Sequence, residues 1–86
     1  MLVSFYTASW CKACKGMKPN VISACHDSNV EYAELDVDKH TDLAISLDVI
    51  TLPTVIIFDD GKELDRIVGT ASKYEIMKRI AQAGKE

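Results

Sequence analysis

The sequence predicts one α/β domain over residues 1–86, a mixed four-stranded sheet with helices on both faces in the order β-α-β-α-β-β-α. Three observations carry this. Hydrophobic periodicity switches between strand-like and helical along the chain. Thr54-Val55-Ile56-Ile57-Phe58 is the strongest strand-forming run and reads as a central strand. Asp59-Asp60-Gly61-Lys62, directly behind it, reads as a hairpin turn. Eighty-six residues leave room for a single thin core, and 48% apolar against 27% charged residues supply one while excluding disorder.

The elements follow in order. Leu2 to Thr7 mixes β-branched and aromatic residues and reads as a buried strand. Trp10 to His26 takes a helical period, with Cys14, Met17, Val21 and Cys25 on one stripe and Lys12, Lys15, Lys18 and Asn20 opposite. Pro19 falls inside that helix and removes one backbone bond. Val30 to Val37 is a second strand, parallel to the first because a helix joins them. Thr41 to Leu47 is a short helix. Glu63 to Val68 returns antiparallel after the turn, and Gly69 ends it. Ser72-Lys73-Tyr74-Glu75 is a capping box opening a last helix, with an apolar stripe of Ile76, Met77, Ile80 and Ala81 and a stop at Gly84.

Ten Lys and Arg against thirteen Asp and Glu give a net charge of −3. That balance lacks the basic footprint of a phosphate-backbone binder, so nucleic acid is not the expected ligand. The longest apolar stretch, Val49 to Phe58, is far short of the ~20 residues of a membrane span. A strand-like run starts right after Met1, so no signal peptide is expected and the chain reads as cytoplasmic.

Three cysteines are too few for a disulfide scaffold. Cys11-Lys12-Ala13-Cys14 is a C-x-x-C pair; Cys25 stands alone. The pair follows a buried strand and opens a helix, which sets Cys11 at a helix N-terminus. Unpaired N–H groups and the positive end of the dipole favour a thiolate there. Cys11 is therefore expected to be the exposed nucleophile and Cys14, on the apolar stripe, the buried resolving thiol. Lys12 and Lys15 oppose the dipole, yet positive charge beside a thiolate lowers its pKa, so both are candidate tuning residues. A metal site is the competing reading. Cys25 lies eleven residues beyond Cys14, about 16 Å along a continuous helix at 1.5 Å per residue, too far to share an ion. A second C-x-x-C or H-x-x-x-H pair is missing, and Cys25, His26 and His40 read as ordinary core and surface residues. An iron–sulfur cluster shared between two chains is the remaining metal alternative.

With these motifs placed, the chain resembles the thioredoxin family, and more narrowly the small glutaredoxin-like thioredoxins of archaea and phages. Trp10-Cys11-Lys12-Ala13-Cys14-Lys15 resembles the W-C-x-x-C-K site, Pro19 the helix proline, Leu52-Pro53-Thr54 the cis-proline element, Asp59-Asp60-Gly61-Lys62 the hairpin turn, and Gly69 the glycine after the last strand. The likeness implies a minimal thioredoxin fold with sheet order 2-1-3-4, lacking the family's N-terminal strand and helix. It leaves Val30–Val37 as an acidic edge strand. It implies a thiol–disulfide oxidoreductase that reduces or exchanges protein disulfides without a cofactor beyond its own Cys11–Cys14 disulfide, and without a metal. Trp10, Leu52, Pro53, Gly69 and Thr70 would form the substrate rim, with Leu52 presenting its backbone to an extended peptide. Expected partners are protein disulfides and a thioredoxin reductase-like electron donor for a monomer that binds neither nucleic acid nor membrane.

The departures matter too. The family's buried aspartate aligns with Phe5 and its lysine partner with Glu34, so Glu34 is a candidate replacement carboxylate. Lys12-Ala13 is neither the Gly-Pro of thioredoxins nor the Pro-Tyr of dithiol glutaredoxins, and Gly69-Thr70-Ala71-Ser72 lacks the Gly-Gly pair with which glutaredoxins hold glutathione. A glutaredoxin-type enzyme, and a thioredoxin-fold binding subunit with incidental redox activity, are the alternatives.

Overall fold

The computed structural model describes residues 1–85. Its elements are β1 (Leu2–Thr7), α1 (Lys12–Ser28), β2 (Glu31–Asp36), α2 (Thr41–Ser46), β3 (Thr54–Asp59), β4 (Lys62–Val68) and α3 (Lys73–Ala83). The sheet order is β2-β1-β3-β4, with β1 parallel to β2 and antiparallel to β3, and β3 antiparallel to β4. This is the predicted order and topology. Its two central strands are the two most apolar ones, as burial on both faces requires.

Local chemistry sets the element ends. Asn29 caps α1 in the left-handed region (φ 56°), its N–H reaching the Cys25 and His26 carbonyls. Asp60 and Gly61 both have positive φ, as a two-residue hairpin turn demands. Ser72 Oγ accepts the Glu75 N–H at 3.1 Å and starts α3. The first helix begins at Lys12 rather than Trp10, because Cys11 has extended backbone (φ −89°, ψ 102°) and serves as the N-cap. On α3 the buried positions are Ile76, Ile80 and Ala83; Ala81, expected on the stripe, is exposed. Five residues past Ile76 is about 140° round a 3.6-residue helix, which turns Ala81 outward. Gly84 does cap α3, but at φ −71°, where its lack of a side chain is not used.

One face of the sheet carries Val3, Phe5, Val55, Ile57 and Ile67, buried against Cys14, Met17, Val21, Ala24 and Cys25 of α1 and Ile76, Ile80 and Ala83 of α3. The opposite face is thinly covered. Among the described residues its only helix is the six-residue α2, so the expectation of helices on both faces holds unequally. No helix among the described residues is long and apolar enough to cross a membrane.

A β-bulge between Ile57 and Phe58 shifts the β3–β4 register. Asp65 stays on the helix-covered side and takes a two-pronged ion pair from Arg79 of α3 (2.6 and 2.7 Å). Glu63 and Arg66, three apart and so on opposite faces of a regular strand, instead meet at 2.7 Å. Arg66 also donates to the Leu47 carbonyl at 2.9 Å, tying the end of α2 to β4. The Arg79 and Arg66 pairs hold the Asp65 and Glu63 carboxyls below the usual carboxylate range, each mainly through its guanidinium hydrogen bond.

Gly69 has φ 93° and donates its N–H to the Pro53 carbonyl at 2.8 Å. Nothing lies within 4 Å of where its Cβ would stand, so the backbone angle alone demands glycine. Gly69→Ala is expected to lower unfolding free energy by about 1–2 kcal/mol in chemical denaturation, the strain of a left-handed L-residue; an unchanged midpoint would contradict this.

Candidate active site

The site grows from the junction of β1 and α1. Ala8 is buried and its carbonyl accepts the Cys11 N–H at 3.0 Å, so the chain turns sharply out of the sheet into the helix. Cys11 and Cys14 are joined as a disulfide. The Cys14 N–H donates to Cys11 Sγ at 3.2 Å, so the sulfur occupies the place that a serine or aspartate oxygen takes at ordinary helix starts. No acidic residue lies in the first turn. Nothing there competes with a sulfur anion for the free N–H groups.

Cys14 is fully buried, as expected. Cys11 is 7% exposed, which corrects the expectation of an exposed nucleophile. As the N-cap its sulfur folds back over the helix start and joins the same core cluster as Ala8 and Cys14. It remains the more accessible of the two cysteines. Cys25 is a free thiol, 2% exposed, whose pKa burial pushes up to about 11. Among the described residues no group of His, Cys, Asp and Glu could hold a metal ion.

The predicted rim residues fall in three places, just before Cys11, at the proline loop and after β4. The Leu52–Pro53 bond is cis, Pro53 is buried, and Leu52 and Ala71 pack against the cluster that holds the cysteines. The Gly69 bond to Pro53 brings the end of β4 to the same loop. Thr70 is exposed beside it. Trp10 stands 68% exposed, with its indole N–H donated to Asp38 Oδ2 at 2.9 Å. Two residues went unread in the sequence, the partner of Trp10 and a chain neighbour of Leu52. Asp38 follows β2 without any local motif to announce it. Ile50, 89% exposed two residues before Leu52, looked like one more member of an apolar run.

Lys12 is exposed on the first turn. Lys15 lines a cleft of about 270 Å³ together with Cys14, Lys18, Glu34, Asp36 and Ser9. Glu34 pairs with Phe5 in the β1–β2 register, and its carboxylate meets Lys18 Nζ at 3.0 Å and the Tyr32 hydroxyl at 2.9 Å. The Lys18 hydrogen bond chiefly, with help from Tyr32, holds the Glu34 carboxyl below its ordinary pKa. Glu34 is therefore ionised at neutral pH in the cleft that Cys14 also lines.

A strand-to-helix junction that closes a dithiol over helix N–H groups, under a proline loop and an apolar rim, defines a scaffold for thiol–disulfide chemistry. Comparisons with known proteins agree. A family model described as Thioredoxin matches residues 1–82. Thioredoxin H7 of Arabidopsis thaliana is 41% identical over 83 residues, covering 95% of this chain and 64% of that protein. The thioredoxin of Mycoplasma pneumoniae is 32% identical over 95% of this chain and 80% of its own length. Thioredoxin 1 of the thermophile Thermosipho africanus superposes with a TM-score of 0.89 at 25% identity, covering 99% of this chain and 96% of that one. The chain belongs to the thioredoxin family. It spans a little under two thirds of the length of the plant H-type relatives it matches.

Burial sets a difference between the thiols that labelling can read. In the reduced protein at pH 8, iodoacetamide is expected to modify Cys11 while Cys25 stays unmodified until denaturant is added. The raised pKa of Cys25 carries a sign for stability. Its folded value exceeds the unfolded one, so the stability it confers is present below about pH 9 and lost as pH rises towards about 11. The difference in denaturation midpoint between the wild type and Cys25→Ala should therefore shrink across that window.

Proposed function

We propose that the protein is a thiol–disulfide oxidoreductase acting on protein disulfides. The observation that carries this is the Cys11 sulfur, seated as helix N-cap acceptor at the mouth of an apolar rim. In the reduced state the Cys11 thiolate attacks one sulfur of a substrate disulfide. A mixed disulfide forms and the other substrate sulfur leaves as a thiolate. Cys14 then gives up its proton and its thiolate attacks Cys11 Sγ, so the Cys11–Cys14 bond closes and the second substrate sulfur departs. Two electrons pass to the substrate, and the two protons lost by the cysteines balance its two thiolates. An external dithiol, such as a thioredoxin reductase-like donor, restores the pair. No cofactor enters any step.

Substrate docking rests on Trp10, Ile50, Leu52, Pro53, Gly69 and Thr70. The peptide lies extended across the loop, its main chain paired with Leu52 and its apolar side chains on the rim, so recognition tolerates many sequences. Lys12 and Lys15 favour the sulfur anion over the thiol by charge alone. Glu34 is the positioning carboxylate for the second step. The proton of buried Cys14 reaches solvent through the cleft that Glu34 shares with it, and the ionised carboxylate receives it by way of water. The three cysteines, one pair and one buried free thiol, suit a reducing, cytoplasmic setting, and the domain acts as a monomer.

Insulin reduction in the presence of dithiothreitol tests the activity. Cys11→Ser is expected to abolish it. Cys14→Ser should accumulate a mixed disulfide with the insulin chain, visible by mass spectrometry. A Cys11→Ser protein as active as wild type would overturn the assignment in favour of a binding subunit. For the resolving step, Glu34→Gln is expected to slow decay of the mixed disulfide about a hundredfold near neutral pH, the low end of what a proton acceptor contributes. The Cys11 attack rate should stay as it was. Equal decay rates across pH would remove Glu34 from the mechanism.

A further inference from the structure

The side of the sheet turned away from α1 and α3 carries a groove of about 630 Å³ that the redox reaction does not use. Its floor is Leu2 and Tyr6 of β1, Ala33 and Leu35 of β2 and Phe58 of β3, and Leu43 and Leu47 from α2 and its end form one wall. The floor crosses three strands. At ~4.8 Å per strand spacing that is about 10 Å, the width of one α-helix with its side chains. On the other side of the sheet the same apolar surface is covered by α1 and α3. Here Leu2, Leu35 and Phe58 are only half-buried, and Leu43 is exposed.

Charge narrows the choice of occupant. The lining side chains that carry charge at neutral pH are Glu31 and Asp60, both acidic and both exposed. The α-amino group of Met1, which also borders it, is paired with Asp59 at 3.5 Å. Glu31 is free of any ion pair among the described residues, as is Asp60. A second copy of this chain would bring two such acidic rims together on bodies that each carry a net charge of −3. A segment with basic flanks neutralises them instead.

We propose that this groove is a docking site for an amphipathic helix of another protein, with an apolar stripe for the sheet and Lys or Arg flanks for Glu31 and Asp60. The mode is helix-in-groove recognition, read through apolar anchors at i, i+3, i+4 and i+7. Because the groove opens on the face opposite α1, occupation leaves the cysteines free. The surface therefore tethers the domain to a partner while the redox site works.

The test uses a synthetic helical peptide of about four turns (~15 residues), with leucines at those anchor positions and lysines on the flanks. Its counterpart carries glutamates in place of the lysines. Calorimetric titration of the oxidised protein is expected to show saturable binding of the lysine peptide, at least tenfold weaker binding of the glutamate peptide, and weakening with salt. Glu31→Lys combined with Asp60→Lys should reverse that preference. Leu35→Lys should abolish binding, and Leu43→Lys, on the exposed side of α2, provides a second block that spares the sheet. All these variants should keep wild-type insulin reduction, which separates loss of docking from loss of fold. Failure of the lysine peptide to bind, or equal binding of the two peptides, overturns the proposal. So does a concentration-dependent dimer of the wild-type protein that Leu35→Lys dissociates, which would assign the groove to a second copy.

Discussion

One contact organises the site: the Cys14 N–H pointing at the Cys11 sulfur across the first turn of α1. Helix starts leave N–H groups without partners, and this chain offers them sulfur in place of oxygen. The geometry exists only because β1 ends at Thr7 and the chain folds back at Ala8, whose carbonyl holds the Cys11 N–H. That turn in turn depends on β1 being locked between β2 and β3 with no freedom to slide, since a one-residue slip would drive Phe5 and Val3 out of the core. The sheet core and the reactive sulfur are thus consequences of the same register.

Most of the fold was legible because its signals are local. The β-branched and aromatic run from Leu2, the 3–4–4 spacing of Cys14, Met17, Val21 and Cys25, and the Asp60-Gly61 turn each act within a few residues. Each appears in the structure within two residues of its predicted place. The start of α1 was misplaced because Trp10 suits a helix as well as a loop. The competing cap at Cys11 is a cysteine, which ordinary capping preferences do not flag. Ala81 was misplaced for a different reason: the stripe was centred between Ile76 and Met77, whereas the buried face runs through Ile76, Ile80 and Ala83.

What could not be read is what depends on pairing between distant elements. The ion pair of Asp65 with Arg79 joins residues 14 apart, and the Arg66 bond to Leu47 joins residues 19 apart. The Glu63–Arg66 contact was hidden too, because it rests on a bulge that leaves no mark in a hydrophobic pattern. Asp38 was likewise invisible, since its partner Trp10 lies 28 residues away. The Glu34 position shows the opposite case. The resemblance singled it out and the register does set it beside Phe5, but its engagement with Lys18 required α1 to be laid over β2 first.

The Trp10–Asp38 bond has an optical consequence. The chain contains one tryptophan, and its ring sits one residue from the sulfur that changes oxidation state, anchored by a single hydrogen bond. Its fluorescence, excited beyond the absorption of the three tyrosines, arises from that spot alone. The molecule thus carries its own unlabelled indicator lamp, wired to the sulfur pair and dark to events elsewhere in the domain.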